Sequence, residues 1–345
     1  MESPAARLRA SRQASDAELR ELLESGDPDL AEDLHRQARE VTAERFGNRV
    51  YLRALIEWSN VCRNDCLYCG IRKSNTALPR YTLSREEILS CCENAHRLGL
   101  RTFVLQGGEN PAAAEVLAPV VAEIRASWPD SAITLSLGEL PPSAYALLRR
   151  SGADRYLLRH ETANPAHYAR LHPAGMRLET RLACLQTLRG LGFQTGMGMM
   201  VGSPFQTVRD LLADIRLIES FRPEMIGIGP FIPQRDTPFG HFPPGDTGLV
   251  LKIYSILRLM FPNALIPSTT ALSTLDAGGR IAGLRAGANV IMPVFTPPER
   301  RAAYALYDGK THPEREAAEN LRSLKEELSA AGYSASPDRG DYAEN

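Results

Sequence analysis

Short apolar runs alternate with amphipathic segments from about residue 50 to residue 292, and this alternation is the main pattern of the chain. Continuous apolar runs rich in β-branched residues are typical of strands buried on both faces. They predict strands at 51–58, 102–106, 132–137, 155–159, 194–201, 225–229, 264–267 and 289–292. Apolar residues at helical spacing predict helices between these strands, at 84–98, 112–127, 142–151, 178–191, 207–220, 247–260 and 276–286.

The segments on either side of this alternation are helical by the same criterion. Apolar residues at helical spacing within 16–46 predict two short helices ahead of the main domain. A last helix at 313–331 is expected to pack on the outside, and the residues after it are expected to fray. We therefore expect an N-terminal helical extension (1–49), a main domain (50–310), and a C-terminal helix with its tail (311–345).

Eight strands that alternate with helices, without a break in composition, indicate an α/β fold. The arrangement they predict is a complete (β/α)8 TIM-type barrel with N-terminal helices and a C-terminal helix. An open, doubly wound sheet is the alternative, because it has the same alternation of elements. In both folds the loops that leave the carboxyl ends of the strands form the functional site.

Charge and composition exclude several classes of protein. The 345 residues include 40 Lys and Arg against 41 Asp and Glu, and the net charge of -1 gives no basic field for nucleic acid. No apolar run reaches the length of about 18 residues that a membrane span requires. The first 49 residues also lack the pattern of a secretory signal. We expect a cytoplasmic protein that binds neither nucleic acid nor a membrane.

Three of the six cysteines, Cys62, Cys66 and Cys69, follow the first predicted strand within eight residues. Thiolates ligate iron, and the C-x3-C-x2-C spacing can wrap three corners of a 4Fe-4S cubane and leave its fourth iron open. A zinc knuckle or unreactive buried cysteines are the alternatives. Zinc sites usually add a second pair of ligands downstream, whereas the next cysteine here is Cys184, in a predicted helix.

With Tyr68 before the last cysteine, this motif resembles the signature of the radical S-adenosylmethionine (SAM) superfamily. The resemblance implies that Cys62, Cys66 and Cys69 hold one 4Fe-4S cluster, and that the open iron binds the amino and carboxylate groups of SAM. Reductive cleavage of SAM would then give a 5′-deoxyadenosyl radical. No cysteine follows Cys184, so a single cluster is expected.

Further cofactor-binding candidates lie at the ends of later predicted strands. The run Gln106, Gly107, Gly108 and Glu109 resembles the superfamily's Gly-Gly-Glu motif, whose backbone receives the amino group of SAM. Glycines there let the backbone approach a ligand closely. By itself such a run is usually an ordinary turn. Here it ends the strand that follows the cysteine motif, and this position favours cofactor binding.

Four other residues complete the predicted SAM site: Ser136, Glu161, Arg181 and Met199. Glu161 can accept two hydrogen bonds from ribose hydroxyls, and Arg181 can grip a carboxylate with both arms of its guanidinium. Met199 lies among glycines that can admit an adenine ring. The alternatives are surface charges or a helix salt bridge for Glu161 and Arg181, and tight strand packing for the glycines.

Five segments carry a narrower resemblance, to the FeFe-hydrogenase maturase family HydE: 56–62, 156–165, 227–233, 266–271 and 287–293. That family has a complete barrel around a long cavity and acts in assembling the diiron subcluster of the hydrogenase active site. The resemblance implies a small iron complex bearing cysteine, carbon monoxide and cyanide as the substrate. The residues that match family positions for binding it are Arg159, Thr269, Thr270 and Tyr304, with Arg53 and Tyr307 as weaker candidates.

Two rival functions remain open at this stage. One is a related radical SAM enzyme, either a methylornithine synthase acting on an amino acid or a biotin-synthase-like enzyme. The other is a non-catalytic iron–sulfur carrier, which would need neither a ribose acceptor nor a carboxylate clamp. The expected partners are an electron donor such as ferredoxin or flavodoxin and other hydrogenase maturation proteins.

Overall fold

A computed structural model describes residues 3–310 and 317–343. Its helices within these ranges are α1 (Pro4–Ser11), α2 (Asp16–Glu24), α3 (Pro28–Phe46), α4 (Arg85–Arg97), α5 (Ala113–Ser127), α6 (Pro142–Arg150), α7 (Pro165–Leu171), α8 (Leu178–Gly190), α9 (Val208–Phe221), α10 (Thr247–Met260), α11 (Thr270–Leu275), α12 (Gly279–Arg285), α13 (Pro298–Arg301) and α14 (Ala317–Ala330). All seven helices predicted between strands are present. The amphipathic spacing was therefore a sound guide to the helical layer.

The strands lie parallel and follow the predicted order, but several are shorter than the sequence suggested. They are β1 (Arg49–Leu52), β2 (Ala54–Ser59), β3 (Thr102–Gly107), β4 (Ala132–Ser136), β5 (Arg155–Leu157), β6 (Gln194–Met197), β7 (Met200–Val201), β8 (Met225–Ile226), β9 (Gly229–Pro230), β10 (Val290–Ile291) and β11 (Ser334–Ser336). Three predicted strands, at 51–58, 194–201 and 225–229, are each divided in two. The central sheet has the order β2-β3-β4-β5-β6-β8, so consecutive strands pair, as expected of an α/β fold.

Backbone contacts extend the sheet beyond β8. The predicted strand 264–267 forms only isolated bridges, from Leu265 to Met225 and from Pro267 to Val290. Next, β10 pairs with β1, whose chain continues into β2. The prediction of a full strand at 264–267 was wrong, because this segment meets each neighbour at a single position.

The N-terminal extension packs on the outside of the main domain. The predicted region 16–46 forms α2 and α3, and α1 is a further helix that its short, weakly amphipathic sequence did not reveal. In α3, the ring nitrogen Nδ1 of His35 lies 2.8 Å from the hydroxyl of Ser255 on α10. These helices therefore support the wall formed by α10.

The C-terminal tail closes the amino-terminal end of the sheet, which corrects the expectation that it frays. Strand β11 pairs with β1, and the chain then turns under the strands. Arg155, which is fully buried, donates hydrogen bonds to the backbone oxygen of Arg339 at 2.9 Å and to Oδ1 of Asp341 at 2.6 Å. The predicted helix 313–331 is present as α14, and its first residues lie outside the described part of the chain.

Within the described ranges, no helix combines the length and the apolar character that a membrane span needs.

Candidate active site

The cysteine loop (residues 60–83) leaves the carboxyl end of β2. A register shift between Glu57 and Ser59 marks a bulge at this strand end, which redirects the chain into the loop. The guanidinium of Arg80 holds the loop in shape by donating hydrogen bonds of 2.5–2.8 Å to four of its backbone oxygens, those of Asn60, Ile71, Arg72 and Asn75. Buried carbonyls need such partners, so the loop folds around this one side chain.

A second charged contact lies between the first two cysteines. Asp65 accepts hydrogen bonds from Nε of Arg72 at 2.7 Å and from the backbone N–H of Ser74 at 3.0 Å. Partial burial raises the pKa of Asp65, but the hydrogen bonds from Ser74 and Arg72 outweigh it and lower this pKa to about 2. The carboxylate is therefore ionised and ties the two halves of the loop together.

The three predicted cluster ligands are free, half-buried thiols. Burial raises the pKa of all three, and that of Cys69 to about 12. The neighbouring thiols Cys69 and Cys62 add to the rise at Cys66. A thiolate in these surroundings needs a positive charge beside it, which the irons of a cluster provide. In the described ranges, no three His, Cys, Asp or Glu side chains form a site for a single metal ion.

The Gly-Gly-Glu run at the end of β3 lies directly against the cysteine loop. A side-chain carbon at Gly108 would come within 2.4 Å of the carbonyl oxygen of Val61 and 2.8 Å of Cβ of Cys62. One at Gly107 would lie 2.3 Å from Nε1 of Trp58. Glycine is required at both positions because backbone and side-chain atoms already fill the space that a Cβ would occupy. The run therefore packs directly against the cysteine loop.

Glu109 connects the cysteine loop to the segment after β4. Its Oε1 accepts a hydrogen bond from Nε of Arg63 at 2.9 Å, and its Oε2 accepts one from the backbone N–H of Glu139 at 2.7 Å. Arg181 on α8 donates to Oε1 of Glu139 at 2.6 Å and lies 3.9 Å from Glu109. Sequence reasoning missed Glu139, because no motif marks it.

Arg181 is buried and permanently charged. Burial lowers its pKa, but the neighbouring Tyr168, Glu139 and Glu109 outweigh this effect and raise the pKa above its ordinary value. A second nitrogen of the guanidinium donates to the backbone oxygen of Arg159 at 3.2 Å. The cation is therefore held next to the cysteine loop in a fixed orientation, as the binding of a carboxylate requires.

Glu161 follows β5 in a backbone conformation that is rare for a side-chain-bearing residue, with φ of +66°. Its backbone pairs with Met199 as an isolated bridge. Its buried Oε2 lies 2.9 Å from Nη2 of Arg159 and forms an ion pair with it, although the geometry is not that of a hydrogen bond. Strained residues of this kind cluster at functional sites.

Tyr68 has a fixed hydroxyl orientation next to Cys66 and Cys69. The hydroxyl lies 3.2 Å from Nε2 of His172, whose Nδ1 lies 2.9 Å from the backbone oxygen of Tyr168. Burial lowers the pKa of His172 to about 3, so the ring is neutral. Its Nδ1–H donates to the carbonyl, which leaves Nε2 to accept the hydroxyl proton of Tyr68.

Tyr304 belongs to a buried polar group that the sequence revealed only in part. Its hydroxyl accepts a hydrogen bond from Nε2 of Gln106 at 3.2 Å. Nζ of Lys310 donates to the backbone oxygen of Tyr304 at 2.9 Å, lies over its ring and forms a short ion pair with Glu57. Glu57 and Lys310 are 253 residues apart in sequence, so no local pattern could have paired them.

The remaining predicted residues differ in where they lie, with Arg53 separate from Ser136, Thr269 and Thr270. Ser136 lies opposite Gln106 in the β3–β4 ladder, and Thr269 and Thr270 begin α11. In contrast, Arg53 lies at the amino-terminal end of β2, within 3.4 Å of the backbone oxygen of Gly340 in the tail. The structure therefore does not bring Arg53 to the site end.

Several buried polar atoms around this site make no hydrogen bond among the described residues. They include Nε of Arg159, Oγ1 of Thr269 and the hydroxyl of Tyr168, together with Oε2 of Glu161, whose partner is the ion pair with Arg159. A buried polar atom left unpaired costs about 1–3 kcal/mol. A ligand with hydroxyl donors would satisfy Glu161, and one with acceptor oxygens or nitrogens would satisfy Arg159 and Thr269. The residues present therefore fit a polar ligand such as SAM.

Comparison with known proteins supports this assignment independently. The family model described as Radical SAM superfamily matches residues 56–218. The chain is 46% identical over 293 residues to the FeFe hydrogenase maturase subunit HydE of Thermotoga maritima, a match that covers 85% of this chain and 83% of that protein. It is 29% identical over 327 residues to 3-methylornithine synthase of Methanosarcina acetivorans, with 94% and 91% covered.

A solved structure shares the architecture over nearly the whole chain. The crystal structure of methylornithine synthase (PylB) is similar with a TM-score of 0.84 at 27% identity, and the match covers 97% of both chains. The α/β fold with a parallel central sheet is thereby confirmed.

Proposed function

We propose a function from one premise: this chain belongs to the radical SAM superfamily and, within it, to the family of the FeFe hydrogenase maturase HydE. Members of the superfamily bind a 4Fe-4S cluster and SAM, so the chain is an enzyme that uses both. When bound, the two together supply a 5′-deoxyadenosyl radical by one-electron cleavage of a carbon–sulfur bond. The rest of the proposal concerns what the side chains of this chain do.

In the proposed site, Cys62, Cys66 and Cys69 hold the cluster, and the surrounding residues bind SAM. This is supported by three half-buried, free thiols on one loop, which Arg80 holds in shape through four hydrogen bonds to its backbone. Arg181 grips the methionine carboxylate while Glu139 and Glu109 keep it in place. The other proposed SAM contacts are Tyr68, Gln106, Gly107, Gly108, Glu109, Ser136, Glu161 and Met199.

Glu161 is the residue that we assign to the ribose. Its buried Oε2 is ion-paired with Arg159 at 2.9 Å but accepts no hydrogen bond, and a pair of ribose hydroxyls would supply two. The strained backbone at Glu161 fixes where this carboxylate points. This buried carboxylate, held by a strained backbone and without a hydrogen-bond donor at Oε2, is the single observation that best supports SAM binding. A simple iron–sulfur carrier would have no use for it.

We further propose that the barrel is complete. The supporting contacts run from β8 through Leu265 and Pro267 to β10, and from β10 to β1. Closure would enclose the space above the strands and exclude water from it. Exclusion of water matters because a reactive radical must meet only its substrate.

The proposed reaction acts in assembly of the FeFe-hydrogenase active site, on a small iron complex bearing cysteine, carbon monoxide and cyanide. Arg159, Thr269, Thr270 and Tyr304 are the proposed substrate contacts. Arg159 and Thr269 carry unpaired polar atoms and would donate to an anionic complex. The Lys310 ammonium beside Tyr304 adds a buried cation whose charge Glu57 balances.

A second candidate, a methylornithine synthase, is favoured by the close structural likeness to PylB. An amino-acid substrate would need one cation for its carboxylate and one anion for its ammonium group. Arg159 and Glu57, which are paired with Glu161 and Lys310 in this structure, would serve. A biotin-synthase-like reaction is less well supported, because Cys184 contacts the backbone of Leu140 rather than another cysteine.

The test is in vitro maturation of an apo-hydrogenase with the remaining maturation proteins, with and without this chain reconstituted with its cluster. We expect hydrogenase activity to depend on the chain and on SAM. Conversion of lysine to methylornithine under the same reducing conditions, without hydrogenase activation, would support the second candidate instead. The proposed partners are a low-potential electron donor and the other maturation proteins, and the proposed location is the cytoplasm.

A further inference from the structure

The outer surface of the cysteine loop adjoins the site described above and carries several residues that the site does not use. Two open clefts adjoin there, of about 340 Å³ and about 670 Å³, and both are lined by Arg63, Lys73 and Glu109. Cys62 lines the smaller cleft, so one proposed cluster ligand reaches the protein surface. This is a short route into the cluster site from outside the protein.

Four cations surround these clefts, and we refer to them as the basic rim: Arg63, Lys73, Arg80 and Arg177. All four are exposed. The carboxylates in the same cleft walls are already paired, Asp65 with Arg72 at 2.7 Å, Glu109 with Arg63 at 2.8 Å and Glu139 with Arg181 at 2.6 Å. The charges of Lys73, Arg80 and Arg177 are therefore not balanced by the acidic residues of the clefts.

An apolar residue lies within this cationic surface. Val61, beside Cys62, is 38% exposed and is one of three large hydrophobic residues exposed in the described ranges. A small apolar contact inside a charged surface is typical of transient complexes, which charge brings together and a small contact area holds. Because the chain as a whole has a net charge of -1, the positive potential belongs to this face rather than to the whole molecule.

We propose that the basic rim docks an acidic, low-potential electron-transfer protein of the ferredoxin or flavodoxin type. In the docked complex the donor loses one electron and the cluster held by the cysteine loop gains it. This inference rests on the proposed function, which requires one electron for each SAM molecule cleaved. Electrostatic steering brings the donor to the face where Cys62 is accessible.

The experiment measures donor binding and donor-driven turnover separately. Lys73 and Arg177 are reversed together (K73E/R177E), because neither belongs to the proposed cluster or SAM contacts. The control, R322E/K325E, makes the same change in net charge at two exposed positions of α14 that line neither cleft. An acidic bacterial flavodoxin is titrated calorimetrically into each cluster-loaded protein, at low and at high salt. SAM cleavage is then driven either by reduced flavodoxin or by saturating dithionite.

We expect wild type and the control to bind flavodoxin equally, and K73E/R177E to bind at least tenfold more weakly at low salt. High salt should remove most of this difference, because it screens exposed charges. Dithionite-driven cleavage and iron content should be the same in all three proteins. Equal binding by K73E/R177E and wild type would overturn the docking proposal, and so would binding that ignores salt. If wild type cleaves no SAM with dithionite, the proposed function fails instead, and the binding result still decides where flavodoxin docks.

Discussion

Nε2 of His160 and Oδ1 of Asp214 lie 3.1 Å apart, and both side chains are completely buried. The same Oδ1 also accepts a hydrogen bond from the backbone N–H of Ala163 at 2.5 Å. Glu161 lies between these two donors, in its strained backbone conformation. Asp214 on α9 therefore clamps the turn that aims the Glu161 carboxylate, although it is not expected to contact SAM itself.

We predict that Asp214→Ala weakens SAM binding about tenfold, since it removes the acceptor for both donors and lets the turn at Glu161 relax. Asp214→Asn should restore most of the affinity, because its amide oxygen can accept both hydrogen bonds. Equilibrium dialysis with cluster-loaded protein measures the affinity. Ribose recognition is the sharper readout: wild type should prefer S-adenosylhomocysteine over its 2′-deoxy analogue, and Asp214→Ala should lose that preference. An unchanged preference in Asp214→Ala would show that the clamp does not position Glu161.

Removal of any one cluster ligand should abolish cluster binding. We predict that Cys62→Ala, Cys66→Ala and Cys69→Ala each bind well under one iron per chain after anaerobic reconstitution, against about four for wild type. Cys184→Ala is the matched control, and it should keep its iron because Cys184 lies outside the cysteine loop, with hydrogen bonds to the backbone oxygen of Leu140 and to Tyr145. Iron analysis and the absorbance of the reconstituted proteins provide the measurement. Full iron content in all three loop variants would contradict the ligand assignment.

The cluster motif could be predicted from sequence because its chemistry is local. Three cysteines on one loop and a glycine pair on the next strand are recognisable from spacing alone. The order of strands and helices was equally accessible, because each element buries its own apolar face. The divided strands were not predictable, since the two halves of each pair with different strands: β1 pairs with β10 and β11 but β2 with β3, and β7 pairs with β9 in a separate sheet.

The contacts missed from sequence join distant parts of the chain. Glu57 meets Lys310, and Arg181 meets Glu139, through tertiary packing that no periodicity encodes. The prediction that the C-terminal tail frays was wrong for a related reason. The polar sequence of the tail is typical of a frayed end. However, the buried Arg155 at the base of the sheet is paired with the backbone oxygen of Arg339 and with the carboxylate of Asp341, which lie in this tail.

This tail contact predicts a measurable loss of stability. Asp341 is the ion-pair partner of Arg155, which is 0% exposed, so Asp341→Ala leaves a buried guanidinium without its carboxylate. Arg155 keeps hydrogen bonds to Arg339 and Thr102, so we expect a loss of about 1–3 kcal/mol in the free energy of unfolding. Asp338→Ala is the control, because the pair of Asp338 with Arg49 is half exposed on both sides and should contribute less than about 1 kcal/mol. Urea unfolding of the two variants tests this, and equal losses would mean that the tail does not anchor the base of the sheet.

The contact between β3 and the cysteine loop gives the most demanding prediction, because it concerns a single methyl group. A side-chain carbon at Gly108 would lie 2.4 Å from the backbone oxygen of Val61, and a backbone oxygen cannot rotate away as a flexible side chain can. Gly108→Ala must therefore push the cysteine loop off the strand and displace Cys62 relative to the other two ligands. We expect a loss of about 1–3 kcal/mol in stability, typical of overpacking, together with at least a tenfold loss of SAM cleavage.

Gly175→Ala is the matched control for this methyl group. No atom lies within 4 Å of a carbon added at Gly175, and its backbone is not in the left-handed region, so its stability should change by less than about 0.5 kcal/mol. Thermal unfolding, iron content and dithionite-driven SAM cleavage are measured on both variants. If Gly108→Ala kept the iron content and the SAM-cleavage rate of wild type, the cysteine loop would have to tolerate a displacement of Cys62. The close packing of Gly108 on Val61 would then not be what positions the cluster.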